Sequence, residues 1–130
     1  MKNEIISVFE LYADSLSKGD FKTTFETISD DIVWHMGGNS PLSGVVKGKK
    51  ELEERLAEFG RKSNGTFRVV TNWYASNDCF VAASVVSVAE KSEGNKLNME
   101  GVDIFKIENG KIQEVWTFAK NQELEDEYWR

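Results

Sequence analysis

The chain has 130 residues, 40% hydrophobic and 12% aromatic, with 16 Lys and Arg against 22 Asp and Glu for a net charge of -6. That length and apolar content suffice for one hydrophobic core without disulfides or metals and argue against intrinsic disorder. The acidic balance, without a basic stripe, argues against nucleic acid and anionic membrane surfaces as partners.

Cys79 is the only cysteine, so an internal disulfide is impossible and a reducing cytoplasm is the expected compartment. Met1-Lys2-Asn3-Glu4, with Asp14 soon after, fits neither a secretory nor a transit leader, and no window approaches the length of a membrane span. One histidine and one cysteine provide no metal-ligand cluster, and no motif calls for a cofactor.

In chain order, Ile5, Phe9, Tyr12, Ala13 and Leu16 recur at helical spacing, and Lys18-Gly19 supplies a cationic last turn and a glycine stop. Asp20 can cap a second, shorter helix with Phe21, Phe25 and Ile28 along one side, ended by Ser29-Asp30-Asp31. Ile32 to Met36 reads as a short strand, followed by a loop punctuated by Gly37, Gly38, Pro41, Gly44 and Gly48. A third helix is expected from about Lys49 to Arg61, with Leu52, Leu56 and Phe59 on its buried side, and Ser63-Asn64-Gly65 turns the chain out of it.

The period then changes to two. Phe67, Val69, Thr71 and Trp73 alternate with Arg68, Val70, Asn72 and Tyr74; Asn77-Asp78 turns into a strand from Cys79 to Lys91. Ser92 to Asn95 connect it to Lys96 through Glu108, Asn109-Gly110 signals a hairpin, and Lys111 to Ala119 completes the sheet. The acidic tail Glu123 to Trp129 reads as a solvated turn or short helix with Tyr128 and Trp129 packing back. Two helices, a strand, a helix and four successive strands indicate a single α+β domain.

On the strand before the hairpin, Leu97, Met99, Gly101, Asp103, Phe105 and Ile107 share one face, so alternation places Asp103 on the more apolar side. If Glu108 pairs with Lys111, counting back sets Asp103 opposite Trp116 and Gly101 opposite Phe118, with an indole beside the carboxyl and Glu114 on the same face opposite Phe105. A carboxyl withdrawn from water with no cation beside it has a raised pKa and, when neutral, donates a hydrogen bond. A structural carboxylate satisfying a backbone group or an arginine is the plainer alternative.

Tyr12-Ala-Asp-Ser-Leu-Ser-Lys-Gly-Asp20, Asp30-Asp31-Ile-Val-Trp-His35, the Pro41 to Gly48 loop, Val102-Asp103-Ile-Phe105 and Asn109-Gly-Lys-Ile-Gln-Glu-Val-Trp116 resemble SnoaL-like proteins of the nuclear transport factor two-like, ketosteroid isomerase-like superfamily. The resemblance implies a cone-shaped α+β fold: a curved mixed or antiparallel sheet with three N-terminal helices around an apolar pocket, commonly dimeric through the outer face of the sheet.

It further implies that Tyr12 and Asp103 stand where ketosteroid isomerases place an oxyanion-binding tyrosine and a protonated aspartate. The isomerase base position falls on Met36, whose thioether cannot take a proton at useful pH. The acidic residue expected after the last strand in SnoaL-like cyclases is replaced by Asn121.

His35 and Glu114 are the remaining candidate bases, and in strict alternation His35 points opposite to Met36. Trp34, Met36, Trp73, Met99, Trp116 and Phe118 are candidate pocket walls for a small apolar molecule bearing a carbonyl or hydroxyl group. Two readings remain open at this stage: an isomerase-, cyclase- or dehydratase-type enzyme, or a non-catalytic ligand-binding or dimerisation module.

Overall fold

The structure, a computed structural model, describes residues 4–130. Met1, Lys2 and Asn3, on which part of the leader reading rests, lie outside the described residues. No described helix is long and apolar enough to cross a membrane.

Helix α1 spans Glu4–Lys18 and buries Phe9, Tyr12 and Leu16 on one side. It ends as its sequence anticipates: Gly19 takes a φ of 76°, and the amides of Gly19 and Asp20 bond back to Leu16 and Ser15. Asp20 caps α2 (Phe21–Glu26), its carboxylate accepting from the Thr23 amide at 3.3 Å. The expected face of α2 holds in part: Phe25 packs against the core and Ile28 is buried. Phe21 is 38% exposed and lies under the Arg68 guanidinium, while Thr24 is buried, 2.7 Å from the Ser15 hydroxyl.

Ser29-Asp30-Asp31 does not terminate the helix but lies inside β1 (Ile28–Met36), where these polar residues face away from the core between buried Ile28 and Ile32. The glycine-rich loop also contains an unforeseen strand, β2 (Gly44–Lys47), paired antiparallel to β1. Val45 and Val46 supply β propensity between two glycines of positive φ, which bend the chain at either end. Helix α3 (Lys49–Lys62) therefore follows two strands, and only α1 and α2 precede the sheet.

The remaining elements are β3 (Arg68–Asn77), β4 (Phe80–Ser92), β5 (Asn95–Glu108), β6 (Lys111–Ala119) and α4 (Gln122–Trp129). The six strands run in the order β2-β1-β6-β5-β4-β3; β1 and β6 are parallel and every other pair is antiparallel. This is an α+β fold with a curved mixed sheet, and bulges along β3, β4 and β6 strengthen its bend.

The hairpin forms as expected, with Asn109 and Gly110 both at positive φ and Glu108 opposite Lys111. Its register then shifts: Ile107 pairs with Ile112 but Lys106 pairs with Glu114, leaving Gln113 as the extra residue of a bulge. That single insertion corrects the sequence-derived pairing. Asp103 faces Thr117, Gly101 faces Ala119, and Trp116 lies opposite Ile104 on the other side of the sheet. Side chains alternate strictly along a strand, so one extra residue exchanges the faces of Glu114 and Trp116 and leaves β5 unchanged.

Candidate functional site

Two apolar clusters lie on the inner side of the sheet. One joins Phe9, Tyr12, Leu16, Trp34 and Phe105; the other joins Leu42, Met99 and Trp129 with Phe59 and Phe67. A cavity separates them, lined by Tyr12, Trp34, Met36, Met99, Asp103 and Trp129 among others. The sheet's own sequence makes the space: on the inner face Asp103 lies between Ala83 and Thr117, with Gly101 opposite Ala119 in a neighbouring row. Small side chains around one carboxyl leave room above it.

Gly101, which borders the cavity, also lets β5 and β6 approach closely. A Cβ there would lie 2.4 Å from the Phe118 carbonyl oxygen, which cannot move without disturbing the β5–β6 ladder. Gly101→Ala is therefore expected to destabilise the fold by on the order of 1–3 kcal/mol through forced strand displacement, as measured by urea unfolding against wild type.

Asp103 is 9% exposed, and Tyr12 is 4% exposed. Among the described residues nothing donates a hydrogen bond to the Asp103 carboxyl, and no cation pairs with it. The Tyr12 hydroxyl is likewise without a hydrogen-bond partner. Yet no fully enclosed side-chain oxygen or nitrogen among the described residues lacks a partner, so both groups reach free space in the cavity. Burial, then the nearby Glu125 charge, pushes the Asp103 carboxyl up to about 7. Burial, then the Asp103 charge, holds the Tyr12 phenol well above its usual range, so it stays a donor.

Helix α4 covers the cavity and carries Glu125, a lining residue missed in the sequence reading. Asn121 caps this helix by accepting from the Leu124 amide at 3.1 Å, and Glu125 follows one turn later. Glu125 is half-buried and makes no side-chain hydrogen bond among the described residues; burial, then the Asp126 charge, raises its pKa. The neighbouring Asp126 is structural. It accepts from the Asn39 amide at 2.8 Å and from Gln122 Nε2 at 3.0 Å, binding the 37–43 loop to α4.

Gly38 makes this approach possible, because its φ is 93° and a Cβ would fall 2.2 Å from Asp126 Oδ1. Arg55 fixes the same loop by donating to the carbonyls of Leu42 (2.6 Å) and Ser43 (3.2 Å), with its nitrogen 3.9 Å from the Met36 sulfur. Its charge is used there rather than on Asp103.

The structure does not bring the other candidates to this cavity. His35 and Glu114 form a pair at 2.6 Å, with the His35 ring stacked on Trp116 at 5.3 Å between centroids. All three lie on the outer face, where the bulge and the alternation of β1 put them. Trp73 is 63% exposed and stands opposite Ser84 on the outer face, because a bulge at Asn72 turns it away from the side of Thr71. Phe118 pairs with Val102, so its side chain, 54% exposed, stands on the outer face even though the residue borders the cavity. Trp34, Met36 and Met99 do line it.

A curved mixed sheet with helices across one face is the fold of nuclear transport factor two-like proteins. Within that class the chain belongs to the SnoaL-like domain family, whose model matches residues 9–115. It is similar to a protein of unknown function with a cystatin-like fold from Xanthomonas campestris, at 32% identity and TM-score 0.88, covering 96% of this chain and 97% of that one. It also resembles Bal32a from a soil-derived mobile gene cassette, at 23% identity and TM-score 0.89, covering 98% and 97%. An NTF2-like protein from Burkholderia xenovorans LB400 shares the fold at 16% identity and TM-score 0.71, covering 90% and 89%. A search of curated proteins found no match.

Proposed function

We propose that this SnoaL-like protein binds a small, flat, largely apolar molecule through a carbonyl, enol or phenol oxygen, with Tyr12 and neutral Asp103 as hydrogen-bond donors. One observation carries the reading: a carboxyl 9% exposed, lining the same cavity as a tyrosine, with no hydrogen-bond or ionic partner among the described residues. Two buried donors lining one cavity would also suit developing negative charge on a bound oxygen, so isomerisation, dehydration and cyclisation are the compatible reaction types. The free space is narrow, about 90 Å³, which favours a slim ring system.

A non-catalytic carrier is the second reading, favoured by Met36 and by Asn121, whose side chain is committed to capping α4. The outer face supports self-association, since Val45, Trp73, Phe80, Val102 and Phe118 expose 40–63% of their surface there. Light scattering that returned the monomer mass at micromolar concentration would oppose a homodimer.

The fluorescent phenol 2-naphthol, which resembles the enol of a bicyclic ketone, tests the site directly. Its affinity is expected to fall as pH rises through about 7, because Asp103 then loses its proton. Asp103→Leu should weaken binding by at least tenfold, the loss of one buried hydrogen bond of about 1.5 kcal/mol. His35→Ala should leave it unchanged. Equal binding by wild type and Asp103→Leu would reject the proposal.

A further inference from the structure

We infer that Glu125 is the proton acceptor of this cavity, which makes the site able to enolise a bound carbonyl compound rather than only hold it. This rests on the donor roles proposed for Tyr12 and Asp103 and extends them to a reaction. The positions at which the resemblance to ketosteroid isomerases and SnoaL-like cyclases would set a base hold Met36 and Asn121, and His35 and Glu114 stand on the opposite face of the sheet.

Three acids border the cavity: Glu100, Asp103 and Glu125. Glu100 is exposed, with Lys120 at 3.6 Å. Asp103 lies deepest and is the donor, so its carboxyl cannot also be the base. Glu125 remains, half-buried and free of any hydrogen bond from a described side chain.

The local fold explains how it arrives there. Asn121 starts α4, and a residue four positions later lies one turn along the same side of the helix. The cap that removes Asn121 as a base thus directs the next turn over the cavity. The position also sorts the two acids. Glu125 stands in the first turn of α4, where the helix dipole favours the anion, whereas Asp103 lies in the sheet beneath apolar side chains. Its charge is felt by Asp103, so the two carboxyls favour sharing one proton, with Glu125 ionised and Asp103 neutral.

The step balances without a co-reactant. The Glu125 carboxylate takes a proton from the carbon next to the ligand carbonyl, and the C–H electron pair forms the carbon–carbon double bond of the enolate. The carbonyl pair moves to oxygen, where the Tyr12 and Asp103 hydroxyls donate to it. Glu125 returns the proton to the same or a conjugated carbon, which regenerates the carboxylate. The substrate class is a neutral, flat carbonyl compound with an acidic C–H in conjugation with a ring or alkene.

The test uses 2-tetralone in heavy water, following the C1 proton signal by NMR, with 2-naphthol binding measured in parallel. Wild type should speed the exchange of that proton over protein-free buffer. Glu125→Gln should lower the protein-dependent rate by at least about 100-fold while keeping 2-naphthol binding within a few-fold of wild type. Glu125→Asp should recover part of it.

Unchanged exchange in Glu125→Gln, or wild-type exchange no faster than buffer while 2-naphthol still binds, would overturn the assignment and leave the binding site standing. Loss of 2-naphthol binding in Glu125→Gln would also overturn it, making the residue a support of the cavity's shape. Absence of 2-naphthol binding to wild type would instead remove the donor pair on which the inference rests.

Discussion

Between pH 4 and pH 8, the stability of wild type relative to Asp103→Asn is expected to fall by roughly 4 kcal/mol. The folded carboxyl titrates near 7 and the unfolded one near 3.8, a raised value caused first by burial and then by Glu125. Below the unfolded value both states carry the proton, and Asp103 adds no pH dependence. Between the two values the folded state holds a proton that the unfolded state has released, so stability declines as pH rises.

Above about 7 both are ionised and the full penalty of a buried charge is present, about 1.4 kcal/mol for each unit of the displacement. Glu125 is displaced in the same direction but is present in both proteins, so its contribution to the slope cancels in the difference. Urea unfolding of both proteins at a series of pH values measures the difference. A constant difference across that range would mean that the Asp103 carboxyl is ionised and solvated at neutral pH.

Trp129→Ala is expected to cost about 3–5 kcal/mol, near the range of total stability that a domain of this size can lose without unfolding. Trp129 is 2% exposed and meets Phe59 edge-on at 4.9 Å and Phe67 at 5.7 Å, with Tyr128 at 5.1 Å. These contacts anchor α4, and α4 carries Glu125 and the Asp126 tether of the 37–43 loop. The substitution should therefore loosen the helix as well as lower stability. Denaturant unfolding reads the first effect, and amide exchange of residues 122–129 reads the second. A variant within 1 kcal/mol of wild type would show that α4 is not held by this ring.

The inward orientation of Asp103 was legible because β5 alternates cleanly for fourteen residues, from Asn95 to Glu108, and a turn of known type fixes its end. The partner strand was not legible beyond two pairs. A bulge at Gln113 leaves no compositional mark, yet it moved Trp116 and Glu114 to the far side. Trp73 was misplaced for a similar reason, by a bulge on β3.

β2 was hidden because Gly44 and Gly48 read as loop signals, although they bound a strand of only four residues. Glu125 was missed because the acidic tail reads as solvated. Asn121 followed by acidic residues was a helix-start signal, and Trp129 at the other end was a reason to dock the helix inward. Tyr12 belongs to a helical stripe that any core helix could show; only the family resemblance separated it from its neighbours.

The measurement closest to the centre of this account is a carbon NMR titration of the Asp103 side chain in the folded protein. A midpoint near 7 is expected, with the resonance still moving after the exposed carboxylates have finished titrating. A midpoint near 3.9, the value of an unperturbed aspartate, would leave no neutral acid in the cavity at physiological pH and would contradict the proposed site.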